Sequence, residues 1–114
     1  MAFHYSPKVV TDGLVLAVDA ANKKSYPGSG TVWNDLSGNA NTGTLTNGPE
    51  FLTSASNSVS NIGCFSFDGS NDLVECSAIS STNFTNSLWM RVDAKNVNGI
   101  ISWTVGTVRR ELLF

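Results

Sequence analysis

The sequence has few of the residues on which catalytic and metal chemistry depends. It contains one histidine, His4, and two cysteines in 114 residues. A structural zinc site needs several such ligands, and a Ser-His-Asp triad needs a histidine beside its nucleophile, so neither is expected. No Gly-x-Ser-x-Gly elbow is present, and the nine acidic residues are scattered rather than paired across a predicted cleft. The sequence therefore predicts a protein that is not an enzyme.

Charge is also scarce, since charged residues make up 14% of the chain and the net charge is −2. The seven Lys and Arg residues form no basic stripe, so nucleic acid is not an expected partner. No apolar run approaches the roughly 20 residues of a membrane helix, which predicts no membrane span. The first residues lack the charged and apolar regions of a signal peptide, which indicates synthesis in the cytoplasm.

The chain is instead rich in Asn, Ser, Thr and Gly, which suit turns and strand faces better than helix interiors. Short apolar or alternating segments lie between these turn residues, a pattern typical of β-strands. We therefore expect an all-β, antiparallel protein with under about a tenth of its residues in helix. The predicted strands are residues 13–19, 42–46, 64–67, 73–76, 87–92, 100–105 and a last one from 110 to 114.

The two cysteines lie in neighbouring predicted strands, 64–67 and 73–76, which flank a turn centred on Ser70 and are expected to pair as a hairpin. That register sets Cys64 opposite Cys76, at a spacing that permits a disulfide. Cytoplasmic synthesis favours two thiols instead. The same register assigns one hairpin face to the core: Phe65, Phe67 and Leu73.

The loop at residues 35–41 places oxygen-bearing side chains at alternate positions: Asp35, Ser37, Asn39 and Asn41. Calcium takes about six to eight oxygen ligands, and Asp19 or Asp72 would supply a second acid if the fold brought it near. Asx turns, in which these side chains bind their own backbone, are the alternative. The sequence leaves both open. Residues 68–72 are likewise either a metal-binding or sugar-binding loop or a plain hairpin turn.

Aromatic residues are the candidates for carbohydrate binding, because their faces suit the apolar faces of sugar rings. Trp33 and Tyr26 lie in the polar region between predicted strands and are the expected sugar-stacking residues. Trp89 and Trp103 lie within predicted strands, where a large apolar side chain is expected to face the core.

Several motifs occur in an order that resembles laminin-G-like, concanavalin-A-like domains. They include Asp12-Gly13-Leu14-Val15-Leu16, Trp33-Asn34-Asp35-Leu36-Ser37-Gly38-Asn39, Phe67-Asp68-Gly69-Ser70-Asn71-Asp72 and Asn83-Phe84-Thr85-Asn86-Ser87-Leu88-Trp89. The form that these motifs take in this sequence looks like the copies of the domain found in structural proteins of tailed bacteriophages, notably marine ones. The resemblance covers nearly the whole chain and implies an antiparallel jelly-roll β-sandwich, often with bound calcium. It implies that residues 1–114 form one domain, the N-terminal part of a complete sandwich.

The resemblance also implies the function. It indicates a virion structural or decoration protein at the virion surface, in contact with other virion subunits as a homo-oligomer. The alternative is a carbohydrate-binding module of a fibre or spike that recognises a cell-surface glycan. Residues 111–114 are mostly apolar and would leave a strand edge in need of cover, so we expect the chain to be assembled rather than monomeric.

Overall fold

The computed structural model describes residues 9–53, 63–77, 79, 83–91, 99–105 and 108–113. None of these residues is helical, and all strand pairs among them are antiparallel, as the sequence predicts. The strands are β1 (Val32–Trp33), β2 (Gly43–Thr46), β3 (Glu50–Leu52), β4 (Cys64–Ser66), β5 (Leu73–Cys76), β6 (Gly99–Val105) and β7 (Val108–Leu113). The chain divides into two compact units, Met1–Ser80 with β1 to β5 and Ser81–Phe114 with β6 and β7.

In the first unit, β2 lies between β1 and β5 in a three-stranded sheet. Leu45 lies opposite Val74, and Gly43 lies opposite both Trp33 and Cys76, so these side chains share one face. That face is the covered one, since Gly43 and Leu45 are buried. A Cβ at Gly43 would stand 2.8 Å from a Val74 methyl, which explains the glycine.

β3 and β4 form a second, two-stranded sheet in which Phe51 lies opposite Phe65. Tyr26 packs against both rings, at centroid distances of 4.9 Å and 4.7 Å. Trp33 of the first sheet meets Phe65 of the second at 4.8 Å in an edge-on contact. Edge-on aromatic pairs contribute beyond their burial, so the Trp33–Phe65 contact stabilises the packing of the two sheets.

The predicted hairpin between residues 64–67 and 73–76 is wrong, although both strands exist. β4 pairs with β3, and β5 pairs with β2, so the chain crosses from one sheet to the other between them. Cys64 therefore faces Leu52 and Cys76 faces Gly43, and the two sulfurs are not bonded. Packing of Phe65 into the aromatic cluster outweighs the local preference for a hairpin.

The core assignment of that hairpin changes with its pairing. Phe65 faces the aromatic cluster, as expected. Leu73 is 39% exposed because β5 presents Val74 to the covered face, and Phe67, which follows β4, is 47% exposed. A change of partner strand thus reverses the face of β5, as a one-residue slip would.

Residues 13–19 do not form the predicted strand, although most of 14–18 is half-buried. The segment lies alongside the loop at residues 35–41. Its backbone is bound there mainly by side chains, so no ladder of main-chain hydrogen bonds arises. The apolar run at residues 13–19 correctly indicated burial, but it did not indicate which groups would form hydrogen bonds with its backbone.

In the second unit, β6 and β7 form an antiparallel hairpin in which Ile101 lies opposite Leu112. The prediction of strands at 100–105 and 110–114 is confirmed for the described residues, and Phe114 lies outside them. The described part of the predicted strand 87–92 is not a strand, and Trp89 is 99% exposed rather than in a core. The side chain of Trp103 lies outside the described part.

Candidate functional site

The candidate site is a polar cluster around Asp35, which follows β1 at the start of the loop to β2. Its Oδ1 accepts hydrogen bonds from the backbone N–H groups of Ala17 and Ser37, both at 2.9 Å. Its Oδ2 accepts from the Ser37 hydroxyl at 2.7 Å and from the Asn41 N–H at 3.0 Å. A carboxylate has about four acceptor positions, so this one is fully used.

Three further polar side chains of the loop extend the cluster to the segment at residues 14–18. Asn39 donates from Nδ2 to the Leu14 carbonyl at 2.8 Å, and Asn41 donates to the Val15 carbonyl at 2.7 Å. The Ser37 hydroxyl accepts from the Asn39 N–H at 3.2 Å. The four loop side chains among the predicted calcium ligands are therefore brought together, with their polar atoms joined to one another and to backbone.

A second polar tie lies beside the cluster at Ser25, which is fully buried. Its hydroxyl donates to the Asn34 carbonyl at 2.7 Å and accepts from the Asp19 N–H at 3.0 Å. Asp19 itself accepts from the Ala21 N–H at 2.9 Å, as an Asx turn. Sequence reasoning missed Ser25, because a small polar residue between Lys24 and Tyr26 carries no pattern that indicates burial.

The hydrogen bonds at Asp35 govern its ionisation. Partial burial alone would raise its pKa, because it disfavours the charged form. The hydrogen bonds donated by Ala17, Ser37 and Asn41 outweigh that effect and lower the pKa of Asp35 from 3.8 to about 2. Asp35 is therefore ionised throughout the neutral range, which suits a fixed acceptor and not a proton donor in catalysis.

Cys76, at the end of β5, lies near enough to Asp35 for the carboxylate charge to affect the pKa of its thiol. Desolvation of its sulfur, followed by the negative charge of Asp35, raises the pKa of the Cys76 thiol although the residue as a whole is exposed. The thiol form is thereby favoured over the nucleophilic thiolate.

Asp72, the other predicted calcium ligand, lies in a different turn. Its Oδ2 accepts from the Asp68 N–H at 3.0 Å, and Asp68 accepts from the Ser70 N–H at 2.8 Å. Asp72 shares no hydrogen bond with the Asp35 cluster. Within the described ranges, no three His, Cys, Asp or Glu side chains converge as a metal-binding group. Calcium at Asp35 stays a prediction.

The two predicted sugar-stacking residues belong to the aromatic cluster. Tyr26 is 4% exposed and donates from its hydroxyl to the Gly30 carbonyl at 2.8 Å. Its ring packs against Phe51 and Phe65, and carbohydrate binding at Tyr26 stays a prediction. Trp33 is half-buried, and its indole N–H is buried with no acceptor in the described part of the chain.

A shallow cleft of about 190 Å³ lies beside this cluster. The residues that line it include Tyr26, Phe51, Pro27 and Lys23. Gly63 also lines it, and a Cβ there would meet the Phe51 ring at 2.6 Å, so the glycine is needed for the close approach.

Comparisons with protein-family models, with curated proteins and with solved structures find no match to this chain. The resemblance to laminin-G-like domains thus remains an expectation from the sequence. In the parts of the chain that the structure describes, no helix has the length and apolar character to cross a bilayer.

Proposed function

We propose that this chain is a non-enzymatic structural or decoration module of a virion surface, built on a laminin-G-like jelly-roll sandwich. The proposal rests on the hydrogen bonds that the Asp35 carboxylate accepts. All its acceptor positions bind groups of its own chain, and it ties the loop between β1 and β2 to residue Ala17. A carboxylate whose acceptor positions are all occupied in this way stabilises the fold of its own chain.

The path of the chain supports the sandwich. β1 and β2 lie in one sheet, β3 and β4 in the other, and β5 returns to the first. The Trp33–Phe65 contact joins the two sheets. Strands that alternate between two sheets, with side chains meeting in the middle, are the pattern of β-sandwiches.

Exposed apolar side chains support a role in contact with other proteins. In the second unit, Trp89 is almost fully exposed, and Leu88 and Met90 beside it are exposed as well. Contiguous apolar residues at a surface mark protein contacts more often than free surface. Aromatic residues and Met are also enriched at interfaces, which suits a subunit of an assembly.

The test is incorporation into the particle that encodes the protein. We expect the chain in purified particles at a fixed copy number and expect Trp89→Ser to lower that number. Val10→Ser is the matched control, because Val10 is 76% exposed but lies in the first unit. Absence of the chain from purified particles would contradict the proposal.

Carbohydrate binding is the second candidate, and the cleft beside Tyr26 is the observation that favours it. The residues that line the cleft combine aromatic and apolar side chains with Lys23, a combination that suits a sugar ring bearing an acidic group. At about 190 Å³ it is smaller than the ~300–1,000 Å³ of drug-sized sites, so one ring is the expected occupant.

A glycan array tests this second role. Binding of acidic glycans that is lost in Lys23→Gln and kept in Lys24→Gln would support it, since Lys24 does not line the cleft. Equal binding by the two variants would assign recognition elsewhere.

A further inference from the structure

Asn47 is followed by a glycine, which is true of no other asparagine that the structure describes. The pair Asn47-Gly48 lies in the connection between β2 and β3, and both residues are exposed. Their φ angles are 65° and 95°, in the left-handed region that Asn and Gly tolerate best. Water therefore reaches both the side-chain amide of Asn47 and the peptide bond that follows it.

One hydrogen bond holds the Asn47 side chain. Its Nδ2 donates to the carbonyl of Asn71, in the turn before β5, at 2.7 Å. The N–H of Gly48 donates to no residue that the structure describes. The space beside Gly48 is also open, since no atom lies within 4 Å of the position that a Cβ would take. The peptide nitrogen next to the Asn47 amide is thus neither bonded to a described residue nor shielded by a side chain.

We infer that Asn47 is a site of spontaneous deamidation in the folded chain, and that the product no longer binds Asn71. The Gly48 peptide nitrogen gives up its proton to solvent and attacks Cγ of Asn47. A bond from that nitrogen to Cγ forms, the Cγ–Nδ2 bond breaks, and ammonia leaves with a proton from solvent. Water then adds to one of the two carbonyls of the succinimide ring and opens it, which leaves aspartate or isoaspartate at residue 47.

The hydrogen bond to Asn71 sets how much the fold slows this reaction. Ring closure changes the torsion angles of Asn47, so the side chain must first leave the Asn71 carbonyl. Breaking one such hydrogen bond lowers the reactive population about two- to tenfold relative to the unfolded chain. Leaving the left-handed region adds no further cost, because a residue with a side chain is not favoured there.

The product cannot restore the hydrogen bond. An ionised carboxylate only accepts, and the Asn71 carbonyl only accepts as well, so the two oxygens repel each other. Isoaspartate also lengthens the backbone of the turn by one carbon. Because this hydrogen bond joins the connection after β2 to the connection before β5, the modification loosens the crossing of the chain between the two sheets. The change is one-way, and it does not depend on the virion role proposed above.

Peptide mapping by mass spectrometry tests the reaction at Asn47. The protein is incubated at mildly alkaline pH, folded and unfolded in guanidinium chloride, and the unfolded sample gives the intrinsic rate. We expect Asn47 of the folded protein to become a mixture of aspartate and isoaspartate, about two- to tenfold more slowly than in the unfolded sample. Asn41, which precedes a threonine, is the internal control and should keep its amide. An unmodified Asn47 in the folded protein, once the unfolded sample is fully converted, would overturn the inference.

Urea unfolding of aged protein tests the loss of the hydrogen bond. Asn47→Gly tolerates the same backbone and has no side chain to convert, whereas Asn47→Asp carries the product carboxylate from the start. Ageing should lower the urea midpoint of the wild type towards that of Asn47→Asp and should leave the midpoint of Asn47→Gly unchanged. Conversion of Asn47 with no change in the wild-type midpoint, or an equal fall in Asn47→Gly, would overturn the effect on the crossing.

Discussion

Replacing Asp35 by asparagine tests whether its carboxylate holds the first unit together. The amide keeps one oxygen, but its NH₂ group must face one of the two pairs of donors that the carboxylate accepts. If the NH₂ group takes the place of Oδ2, the Ser37 hydroxyl can rotate to accept a hydrogen bond from it. The Asn41 N–H is then left facing another donor. All four hydrogen bonds also lose the assistance of the negative charge.

The expected loss of stability can be approached from the hydrogen bonds of Asp35 in two ways, which describe the same interactions and are not summed. One donor left without an acceptor costs about 1–3 kcal/mol. The drop in the pKa of Asp35 from 3.8 to about 2 corresponds to at most about 2 kcal/mol of preferential stabilisation of the folded, charged state, and solvent screening at this partly exposed site reduces it. We therefore expect Asp35→Asn to lower the free energy of unfolding by about 2–3 kcal/mol at pH 7.

Urea unfolding followed by tryptophan fluorescence measures this loss, which should lower the midpoint by about 1 M or more. Asp12→Asn is the matched control, because it makes the same change of charge at an exposed residue outside the cluster. We expect the control to stay within about 0.5 kcal/mol of the wild type. If the two variants lose the same stability, the reasoning about the carboxylate is refuted.

The pH dependence supplies a separate check with a defined sign. The folded-state pKa of Asp35 is depressed, so its contribution is fully present above pH 3.8 and is lost as the pH falls through about 2. The difference in stability between wild type and Asp35→Asn should be constant from pH 7 down to about 5 and then narrow. A difference that grows on acidification would contradict the assignment.

Further predictions concern backbone, packing, thiol and metal. Gly38→Ala, at φ 89°, should lose about 1–2 kcal/mol, whereas Ala40→Gly, at φ 58°, should stay within about 0.5 kcal/mol because it relieves strain; urea unfolding compares them. Gly63→Ala should lose about 1–3 kcal/mol, because its Cβ would overlap a phenylalanine ring, and an unchanged melting temperature would contradict this. Alkylation of Cys76, followed by mass spectrometry at pH 8, should be faster in Asp35→Asn, since loss of the neighbouring charge lowers the thiol pKa. Calcium and EDTA should leave the wild-type melting temperature unchanged if the Asx turn is the correct alternative, and a rise with calcium would establish a metal site.

The strand positions were predictable only in part: residues 13–19 and the described part of 87–92 are not strands, and β1 and β3 were not predicted. β2, β5 and β6 match the predicted segments within one residue. The pairing was not predictable from local sequence. Asp68 and Asp72 do form a turn as their types suggest, but that turn carries the chain between sheets instead of closing a hairpin.

The residues that decide which strands pair are distant in sequence from those strands. The Phe65 ring packs against Tyr26 and Trp33, from the region that the sequence assigned to a polar loop. The crossing is also fixed by Asn47, which takes a left-handed conformation at φ 65° and donates from its side chain to the Asn71 carbonyl at 2.7 Å. This bond joins the connection after β2 to the connection before β5, and no local pattern reveals it.

The Asp35 loop shows why the two alternatives from the sequence cannot hold in the same conformation. A calcium ligand must direct a lone pair at the ion, and each acceptor position of Asp35 is directed at an N–H or O–H of its own chain. Calcium would have to displace the Ala17 N–H or the Ser37 hydroxyl, and so release the tie that holds residues 14–18 against the loop. A metal site at Asp35 therefore requires a rearranged loop, whereas the Asx turn requires none.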